Sequence, residues 1–326
     1  MTQIYGTFGP SCVSQAVLES MFRAGMTGMR LNLSHCDLAD SKEQIAAFHA
    51  AAGLAGVQAQ LVIDTQGPEL RIGEMDPLEL KEKDVVTLGE VIPIPPEVSD
   101  ALEHGDEVLL DDGKISLRVL DPVVKTAEVT RGGCLRGRKS VKITGKQIHL
   151  PVLTQRDLAN IQQAAQYGVT GLLQPFVHNG AELKELRQIL KENDAGHLQI
   201  FAKIETLDGA ENLADILPYA DVIVIARGDL GNDMPLWKLP ATQKDISAAC
   251  CAAGKPFIVV TQMLASMEHS AVPTRAEVSD IFNAVADGAW GVMVTGETAV
   301  GQYPIEVIRY LSNTAADAER WIKSNA

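Results

Sequence analysis

Polar residues that could take part in catalysis fall at the ends of short apolar stretches of this sequence. Lys203 and Glu205 follow the apolar run Ile200–Ala202, and Asp229 follows the run Val222–Ala226. Residues two apart on a strand point to the same side, so Lys203 and Glu205 share a face. Burying these two charges is costly unless they pair or bind a cation. We favour metal-assisted chemistry; a buried ion pair that braces the fold is the alternative.

Glu205 and Asp229 together suit a hard divalent cation. Proteins typically hold Mg²⁺ with one or two carboxylates, and substrate oxygens and water complete the coordination. Glu297, after a later apolar run, is a candidate for the outer shell of the same site. The backbone N–H groups of Gly228 and Asp229 could bind a carboxylate or phosphate, although an ordinary turn has the same glycine pattern.

Another apolar run carries Arg30, Asn32 and Ser34 at alternate positions, so these side chains also share a face. Arg30 and Arg71 are candidate phosphate ligands because a guanidinium group offers planar, bidentate donors. For Arg71 a surface salt bridge is the alternative. Neighbouring oxygen atoms could hold a monovalent cation, although capping and core hydrogen bonds explain them equally well. The residues of this candidate site are Asn32, Ser34, Asp64 and Thr65.

Strand-like runs rich in β-branched residues alternate with helical patterns along most of the chain. Eight such pairs can be counted, with the first strand at Ile4–Thr7 and the last at Val292–Thr295. Strict alternation predicts a parallel sheet, and eight units closed on themselves form a (β/α)8 TIM barrel of the α/β class. An open doubly wound sheet is the alternative. In a barrel, active sites lie at the C-terminal ends of the strands, where the residues above fall.

The alternation breaks from Gly73 to about Gly145. Short strand-like pieces there are separated by proline, glycine and charged residues, as in Pro93–Pro96. Such a pattern is typical of a small all-β insertion. We therefore predict a catalytic barrel over 1–72 and 146–326, with a β-rich lid domain at 73–145 inserted after the third strand. Helices predicted beyond it include 154–167, one from about Ala210, and 242–253.

Composition narrows the functional classes. The 326 residues carry a formal charge of −14, which argues against a nucleic-acid surface or an anionic membrane surface. No basic-then-apolar leader and no apolar run of about 20 residues is visible, so we expect a cytoplasmic location. Five scattered cysteines without metal-knuckle spacing predict free thiols in a reducing compartment.

A series of motifs resembles the pyruvate kinase family. Each motif is moderately specific, and their order along the chain makes the resemblance very specific. The motifs are Gly6–Ser11, Met29–His35, Asp64–Arg71, Ala202–Glu205, Ala226–Gly231, Thr261–Met267, Pro273–Glu277 and Gly296–Ala299.

The resemblance implies a phosphotransferase that moves the phosphoryl group of phosphoenolpyruvate to ADP, giving pyruvate and ATP. It implies that Arg30 and Lys203 hold the transferring phosphoryl group, and that Thr261 belongs to the relay that protonates enolpyruvate. It further implies that the amides of Gly228 and Asp229 bind the substrate carboxylate. Positioning and charge neutralisation dominate phosphoryl transfer, so metals with Arg and Lys suffice.

The same resemblance implies the cofactors and the nucleotide site. Mg²⁺ or Mn²⁺ would bind Glu205 and Asp229, and K⁺ would bind Asn32, Ser34, Asp64 and Thr65. Glu69 is the residue found in K⁺-dependent members, so K⁺ activation is predicted. The residues expected to face the nucleotide are Asn32, Leu33, Ser34, His35, Arg71 and Lys139, with the insertion closing over it.

Departures from the family pattern also carry expectations. The sequence stops after the eighth helix, so allosteric control through the family's C-terminal domain is expected to be absent. Gln66 stands where the family usually has Lys, and Pro175 where it has Ser; both could alter substrate preference. Lys139 lies in a divergent stretch.

Two other functions are compatible with the sequence. The same barrel and carboxylates could stabilise a pyruvate enolate in a metal-dependent lyase or aldolase. A non-catalytic phosphoenolpyruvate-binding paralogue is the third hypothesis. Expected partners are phosphoenolpyruvate and ADP or ATP, with neither nucleic acid nor membrane, and a homodimer is possible.

Overall fold

The computed structural model of the chain describes residues 1–34, 36–67, 70–111, 113–146, 148 and 151–325. These form two compact units, Met1–Gly67 with Val152–Ala326, and Pro68–Pro151. The sequence predicted that the barrel and the insertion divide at 72/73 and 145/146. The observed units divide at 67/68 and 151/152, so the segments 68–72 and 146–151 belong to the insertion instead of the barrel. The reason is packing, because Leu70, Ile72 and Ile148 contribute to the apolar core of the insertion.

The strands follow the predicted alternation and its interruption. In chain order they are β1 (Gln3–Thr7), β2 (Gly28–Asn32), β3 (Gln60–Asp64), β4 (Leu78–Leu80), β5 (Val85–Thr87), β6 (Glu107–Leu110), β7 (Ile115–Asp121), β8 (Thr126–Arg131), β9 (Gly133–Leu135), β10 (Val141–Ile143), β11 (Gly171–Gln174), β12 (Gln199–Ile204), β13 (Val222–Ala226), β14 (Phe257–Val260) and β15 (Gly291–Met293).

The helices occupy the segments between the strands. In chain order they are α1 (Gln15–Arg23), α2 (Lys42–Ala55), α3 (Pro96–Asp100), α4 (Gln155–Ile161), α5 (Gly180–Glu192), α6 (Leu207–Glu211), α7 (Leu213–Ile216), α8 (Arg227–Asn232), α9 (Leu239–Ala252), α10 (Arg275–Ala286), α11 (Gly296–Ala299) and α12 (Pro304–Asn325), with 3-10 turns at Pro10–Cys12, Leu236–Lys238 and Ala265–Glu268.

The first unit is a closed parallel barrel. Its strands follow one another in the order β1-β2-β3-β11-β12-β13-β14-β15, and β15 pairs with β1 to complete the circle. The predicted (β/α)8 barrel is therefore confirmed, and the open-sheet alternative is wrong. Closure brings the C-terminal ends of all eight strands to one face of the barrel.

Side chains fill the interior of the barrel. The rings of Tyr5 in β1 and Phe201 in β12 meet edge to face, with centroids 6.3 Å apart. These strands lie on opposite sides of the barrel, so the contact passes through its centre. Gly171 leaves room for it, because a Cβ atom there would lie 2.6 Å from Phe201 Cε2. The barrel is thus a packed core that supports the strand ends above it.

Helices cover the outside of the barrel with one apolar face each. In α5 the buried leucines 183, 186 and 190 recur at helical spacing. The side chain of Asn179 caps this helix by accepting a hydrogen bond from Glu182 N at 3.1 Å. Because such helices bury one side and cap their first turn, the local sequence suffices to position them.

Two helices differ from the sequence prediction. The helix expected from about Ala210 begins earlier and is divided into α6 and α7. α6 begins at Leu207 because the Thr206 hydroxyl accepts from Gly209 N at 3.1 Å and the Asp233 carboxylate accepts from Leu207 N at 2.8 Å. The helix expected over 154–167 ends at Ile161. After that residue, the amides of Gln163 and Ala164 bond to carbonyls three residues back, as in a tighter 3-10 turn.

The second unit is all-β apart from α3, as predicted. It contains an antiparallel sheet in the order β10-β6-β7-β8-β5 and a two-stranded sheet of β4 and β9. Val108 and Leu110 in β6, with Leu117 and Val119 in β7, alternate into its own apolar core. The insertion therefore has a hydrophobic core separate from that of the barrel.

The cysteines and the helix lengths can also be compared with the sequence predictions. All five cysteines are free thiols, as predicted. None of the helices in the part of the chain that the structure describes is long and apolar enough to span a bilayer.

Glu277 gives the fold a pH-dependent stability. Its carboxylate accepts hydrogen bonds from the backbone and hydroxyl of both Thr274 (2.8 and 2.8 Å) and Ser266 (2.7 and 2.6 Å). Burial opposes ionisation, but these bonds outweigh it and hold the pKa of Glu277 below its ordinary value. The stabilisation is therefore present above the unfolded-state pKa and is lost as the pH falls through the folded-state pKa.

We predict that Glu277→Gln lowers the free energy of unfolding at pH 7 by about 1–3 kcal/mol, since a charged acceptor is lost. The gap to the wild type should shrink once the pH falls below about 4.3, the ordinary pKa of a glutamate side chain, because the stabilisation is lost as the pH falls through the lower folded-state pKa of Glu277. Urea unfolding at several pH values measures this. The control is Glu306→Gln, which removes only an exposed contact to Arg309; an equal pH dependence in both variants would contradict the assignment.

Candidate active site

A buried carboxylate at the end of β3 is shared by two cations. Asp64 is 2% exposed, and its Oδ2 lies 2.7 Å from Arg30 Nε and 2.6 Å from Arg30 Nη2. Lys203 Nζ in β12 lies 3.2 and 3.3 Å from the two Asp64 oxygens. The parallel register places Arg30 and Asp64 on neighbouring strands. The barrel thus brings together three charges that are far apart in the sequence.

Glu205 extends this cluster. Its Oε1 lies 3.0 Å from Lys203 Nζ, and its Oε2 accepts a hydrogen bond from Phe176 N at 2.8 Å. Phe176 has a left-handed φ of 49°. The backbone bend after β11 therefore turns an N–H group toward the Glu205 carboxylate and orients it. Both hypotheses for Lys203 and Glu205 are compatible with this arrangement, because they do form a buried ion pair and also belong to a larger charged site.

Burial and mutual charge set the protonation states of the cluster. Burial lowers the pKa of Lys203, but the charges of Asp64 and Glu205 outweigh it and raise the pKa above its ordinary value. Burial likewise opposes ionisation of Asp64, yet Lys203 and Arg30 hold its pKa below its ordinary value. Burial raises the pKa of Glu205 to about 7, and Lys203 only partly offsets it. Lys203 is therefore a cation. The positive charge around Glu205 is too small to keep the pKa of this carboxyl at its ordinary value.

Asp229 lies near enough to act on the same cluster. It belongs to the first turn of α8, it is exposed, and its charge contributes to the raised pKa of Glu205. Three carboxylates, Asp64, Glu205 and Asp229, thus face two cations, Arg30 and Lys203. The raised pKa of Glu205 shows that more positive charge beside it would be favourable, and such a charge is what a divalent cation supplies.

The donor set fits Mg²⁺ in particular. Within the described ranges, no group of three or more His, Cys, Asp or Glu side chains is arranged to hold one ion. Two carboxylates with positions left for water and substrate oxygens are what Mg²⁺ usually takes from a protein. Glu297, predicted in the outer shell, is buried and accepts hydrogen bonds from Leu264 N (3.1 Å) and Thr295 N (2.7 Å). It orders the loops after β14 and β15.

Thr261 follows β14 in a strained conformation. Its φ is 79°, and that of Gln262 is 55°. A β-branched residue rarely adopts this region, and each such residue costs on the order of 1–3 kcal/mol. Gly228 adjoins it, because a Cβ atom on Gly228 would lie 3.1 Å from Thr261 Cγ2 and 3.6 Å from its Oγ1. The predicted relay residue and the predicted carboxylate-binding turn are thus neighbours.

The residues predicted to bind K⁺ lie at the ends of β2 and β3. Asn32 Oδ1 accepts from Ser34 N at 3.1 Å, and the Thr65 hydroxyl donates to Leu173 O at 3.1 Å. Asp64 belongs to the ion cluster already described. Since the side-chain oxygens of Asn32, Asp64 and Thr65 have local partners, the K⁺ site stays a prediction. Glu69, on which K⁺ activation was based, lies outside the described residues.

A cavity of about 500 Å³ opens beside the charged cluster and shares Arg30 with it. It is also lined by Asn32, by Gly9 and Pro10 after β1, and by Asp40 before α2. Its size suits a small molecule. Gly9 and Pro10 belong to the motif Gly6–Ser11, for which no role was predicted, and Asp40 could not be predicted because it has no signal of its own in the sequence pattern.

The other predicted nucleotide residues divide between the two units. Leu33 is buried and Ser34 exposed after β2, whereas His35 lies outside the described residues. Arg71 and Lys139 belong to the inserted unit, where Arg71 Nη1 donates to Arg138 O at 2.8 Å and Lys139 Nζ lies 2.8 Å from Asp111 Oδ1. Their role toward a nucleotide stays a prediction.

The two departures from the family pattern lie at the end of β3 and after β11. Gln66 Oε1 accepts from Arg156 Nη1 at 3.3 Å, and its backbone N–H donates to Asp157 at 3.0 Å. Pro175 packs against Gly67, where a Cβ atom would clash with its ring. Gln66 and Pro175 therefore shape the backbone on either side of the cluster.

Comparison with known proteins decides the family. A family model described as the barrel domain of pyruvate kinase matches residues 1–308. The chain belongs to the pyruvate kinase family. This confirms the resemblance based on the ordered motifs.

Individual relatives agree with the family assignment. The chain is 39% identical over 335 residues to a pyruvate kinase of Geobacillus stearothermophilus and 37% identical over 333 residues to one of Bacillus licheniformis. Both alignments cover 98% of this chain and 57% of the relative, so the chain spans little more than half of their length. A crystal structure of a pyruvate kinase from Cryptosporidium parvum superposes with a TM-score of 0.89 at 33% identity, covering 98% of this chain and 69% of that one.

We predict that Asp64→Asn lowers the free energy of unfolding by on the order of 3 kcal/mol, because it leaves the buried Arg30 and Lys203 without their shared counter-charge. Urea unfolding at pH 7 measures the loss. Asp317→Asn is the matched control, since both side chains of its ion pair with Arg320 are exposed and such a pair is worth at most about 1 kcal/mol. An equal loss of unfolding free energy in the two variants would contradict the prediction, because it would show that the buried interactions of Asp64 stabilise the fold no more than an exposed ion pair.

Proposed function

We propose that this chain transfers the phosphoryl group of phosphoenolpyruvate to ADP, as the family name of its relatives implies. The observation that carries the proposal is the cluster of Arg30, Asp64, Lys203 and Glu205 with Asp229 beside it. Phosphoryl transfer is catalysed mainly by positioning and by neutralising negative charge, and this cluster supplies both cations and metal-binding carboxylates.

Glu205 and Asp229 would hold the divalent cation. A divalent cation held there would supply Lewis-acid neutralisation of the substrate's negative charge. Glu205 is held on one oxygen by Lys203 and on the other by Phe176 N, so its carboxylate is oriented before any ligand arrives. Preorganised groups of this kind lose little order when the substrate binds.

Arg30 and Lys203 would hold the phosphoryl group from the protein side. Both side chains are about 15% exposed, and Lys203 keeps its proton because Asp64 and Glu205 raise its pKa. The backbone N–H groups of Gly228 and Asp229 would bind the substrate carboxylate, since first-turn amides of a helix have no intrahelical acceptor. Thr261, adjacent to Gly228, would then lie beside the enol carbon that takes up a proton.

The nucleotide and K⁺ assignments belong to the same proposal. The cavity beside Arg30 and Asn32 would accept part of the ADP molecule. Asn32, Ser34, Asp64 and Thr65 would bind K⁺ next to it. Arg71 and Lys139 would contribute from the inserted unit.

The direct test is turnover. Purified protein with phosphoenolpyruvate, ADP, Mg²⁺ and K⁺ should form pyruvate and ATP in equal amounts. Lys203→Met should lower kcat by about 10²–10³-fold or more, because a charged donor to the phosphoryl group is removed. Replacing K⁺ with tetramethylammonium should lower the rate of the wild type.

The other two hypotheses give different results in this assay. Cleavage of 2-oxo acids with Mg²⁺ and without nucleotide would indicate a lyase. Calorimetric binding of phosphoenolpyruvate without turnover of any nucleoside diphosphate would indicate a non-catalytic binding protein. A wild type no faster than Lys203→Met would contradict the phosphotransferase proposal.

The metal assignment has a test of its own. We predict that Glu205→Gln weakens the binding of Mn²⁺, followed by electron paramagnetic resonance, by at least about 100-fold, because a negatively charged ligand becomes neutral. Glu297→Gln is the matched control, since Glu297 is equally buried but bonds to backbone amides. Its Mn²⁺ affinity should stay within about threefold of the wild type. Unchanged affinity in Glu205→Gln would exclude Glu205 as a ligand.

A further inference from the structure

Arg227 makes an unusual set of contacts next to the candidate active site. It is the first residue of α8, and its Nε and Nη2 both donate to the carbonyl oxygen of Thr261, at 3.2 and 2.7 Å. Its Nη1 lies 2.8 and 2.7 Å from the two oxygens of Asp280 in α10. The guanidinium group thus joins α10 to the backbone that follows β14.

The contacts of Arg227 occupy its whole hydrogen-bonding capacity. Nη2 also contacts Met263 Sδ at 2.9 Å, and Nη1 also contacts Gln243 Oε1 at 3.5 Å. A guanidinium group has five N–H donors, so each has a partner in the protein. The side chain is 12% exposed. Although Arg227 adjoins Gly228, it has no donor left for a substrate anion.

The carbonyl that Arg227 binds belongs to the strained part of the chain. Val260 packs inside the barrel, so regular strand alternation would turn Thr261 away from the interior. The left-handed φ values of Thr261 and Gln262 break that alternation and place the Thr261 hydroxyl beside Gly228. Backbone in this region persists only where its surroundings over-determine it. Two charged donors on the Thr261 carbonyl provide such a constraint.

We propose that Arg227 is a positioning residue that fixes the left-handed backbone at Thr261 and thereby aims its hydroxyl at the enol carbon. The inference rests on the proposed function. After phosphoryl transfer, the enolate oxygen electron pair re-forms the C2 carbonyl, and the C2–C3 π pair takes a proton at C3 to give the methyl group. The Thr261 relay delivers that proton and recovers one from solvent. Arg227 touches neither the substrate nor the proton.

The test separates proton transfer from substrate binding. Arg227→Met removes every donor at similar side-chain length, and Arg227→Lys keeps the charge without the paired donors. The matched control is Arg187→Met, because Arg187 in α5 also donates to a carboxylate, Asp221, and to a carbonyl, Leu198 O. These two partners directly precede β13 and β12, at the N-terminal ends of the strands. The measurements are kcat, the KM for phosphoenolpyruvate, and deuterium uptake from D2O into the pyruvate methyl group with Mg²⁺, K⁺ and ATP.

Arg227→Met should lower both kcat and methyl-group exchange by about 10²-fold, since small misplacements of a reacting group have effects of this size. Its KM should stay within about threefold of the wild type. The kcat and the exchange rate of Arg227→Lys should lie between those of Arg227→Met and the wild type. Arg187→Met should keep the wild-type kcat and exchange rate while losing thermal stability.

Three results would overturn the inference. The first is that Arg227→Met and Arg187→Met have equal values of kcat and equal rates of methyl-group exchange. Another is a loss that appears mainly in KM, which would make Arg227 a substrate ligand. If circular dichroism shows that Arg227→Met is unfolded, Arg227→Lys becomes the deciding variant. A rate of methyl-group exchange in Arg227→Lys equal to that of the wild type would then overturn the proposal. A wild type without turnover is a separate outcome, because it removes the proposed function together with this inference.

Discussion

Asp64 carries a negative charge in the wall of the barrel, and much of the site follows from balancing it. An isolated carboxylate at this depth would protonate instead of staying charged. Arg30 and Lys203 prevent that, and Lys203 in turn places its charge against Glu205. The balance is incomplete, since burial still raises the pKa of Glu205 to about 7 despite the charge of Lys203. The charge of one buried residue thus determines which side chains must surround it, and the proposed divalent cation would complete the balance at Glu205.

Rigid strands and strained turns have different roles in this site. The ionic groups Arg30, Asp64 and Lys203 stand on β2, β3 and β12. β2 pairs with β3 directly, and β3 is connected to β12 through β11, so the strand register fixes their separation. The hydrogen-bonding groups at Phe176 and Thr261 stand just past strand ends, in left-handed backbone. Strain at these positions is tolerated because neighbouring carboxylate and guanidinium groups hold the backbone. Charge placement is therefore a property of the barrel, whereas fine orientation is a property of its loops.

Local patterning was sufficient to predict the barrel and the charged positions. β3 and β13 begin and end where their apolar runs do, and Lys203 and Glu205 share a face because residues two apart on a strand must. The interruption by an all-β insertion was equally visible. Sequence alone could not locate contacts between distant segments. The Asp233 carboxylate that starts α6, the packing that assigns Leu70 and Ile72 to the insertion, and the Arg227–Thr261 bonds all depend on tertiary structure.

The position of the insertion also has a consequence for the order of folding. β3 must pair with β11, and the bond between Thr65 and Leu173 O spans 108 residues. The entropy lost in closing a loop grows with its length, so this pairing is costly in an unstructured chain. The insertion has its own core, and the bonds of Leu70 O to Val141 N and of Lys139 O to Ile72 N draw its two ends together. Once it has folded, the segment joining β3 to β11 is effectively a short connection, and a long-range pairing becomes nearly a local one.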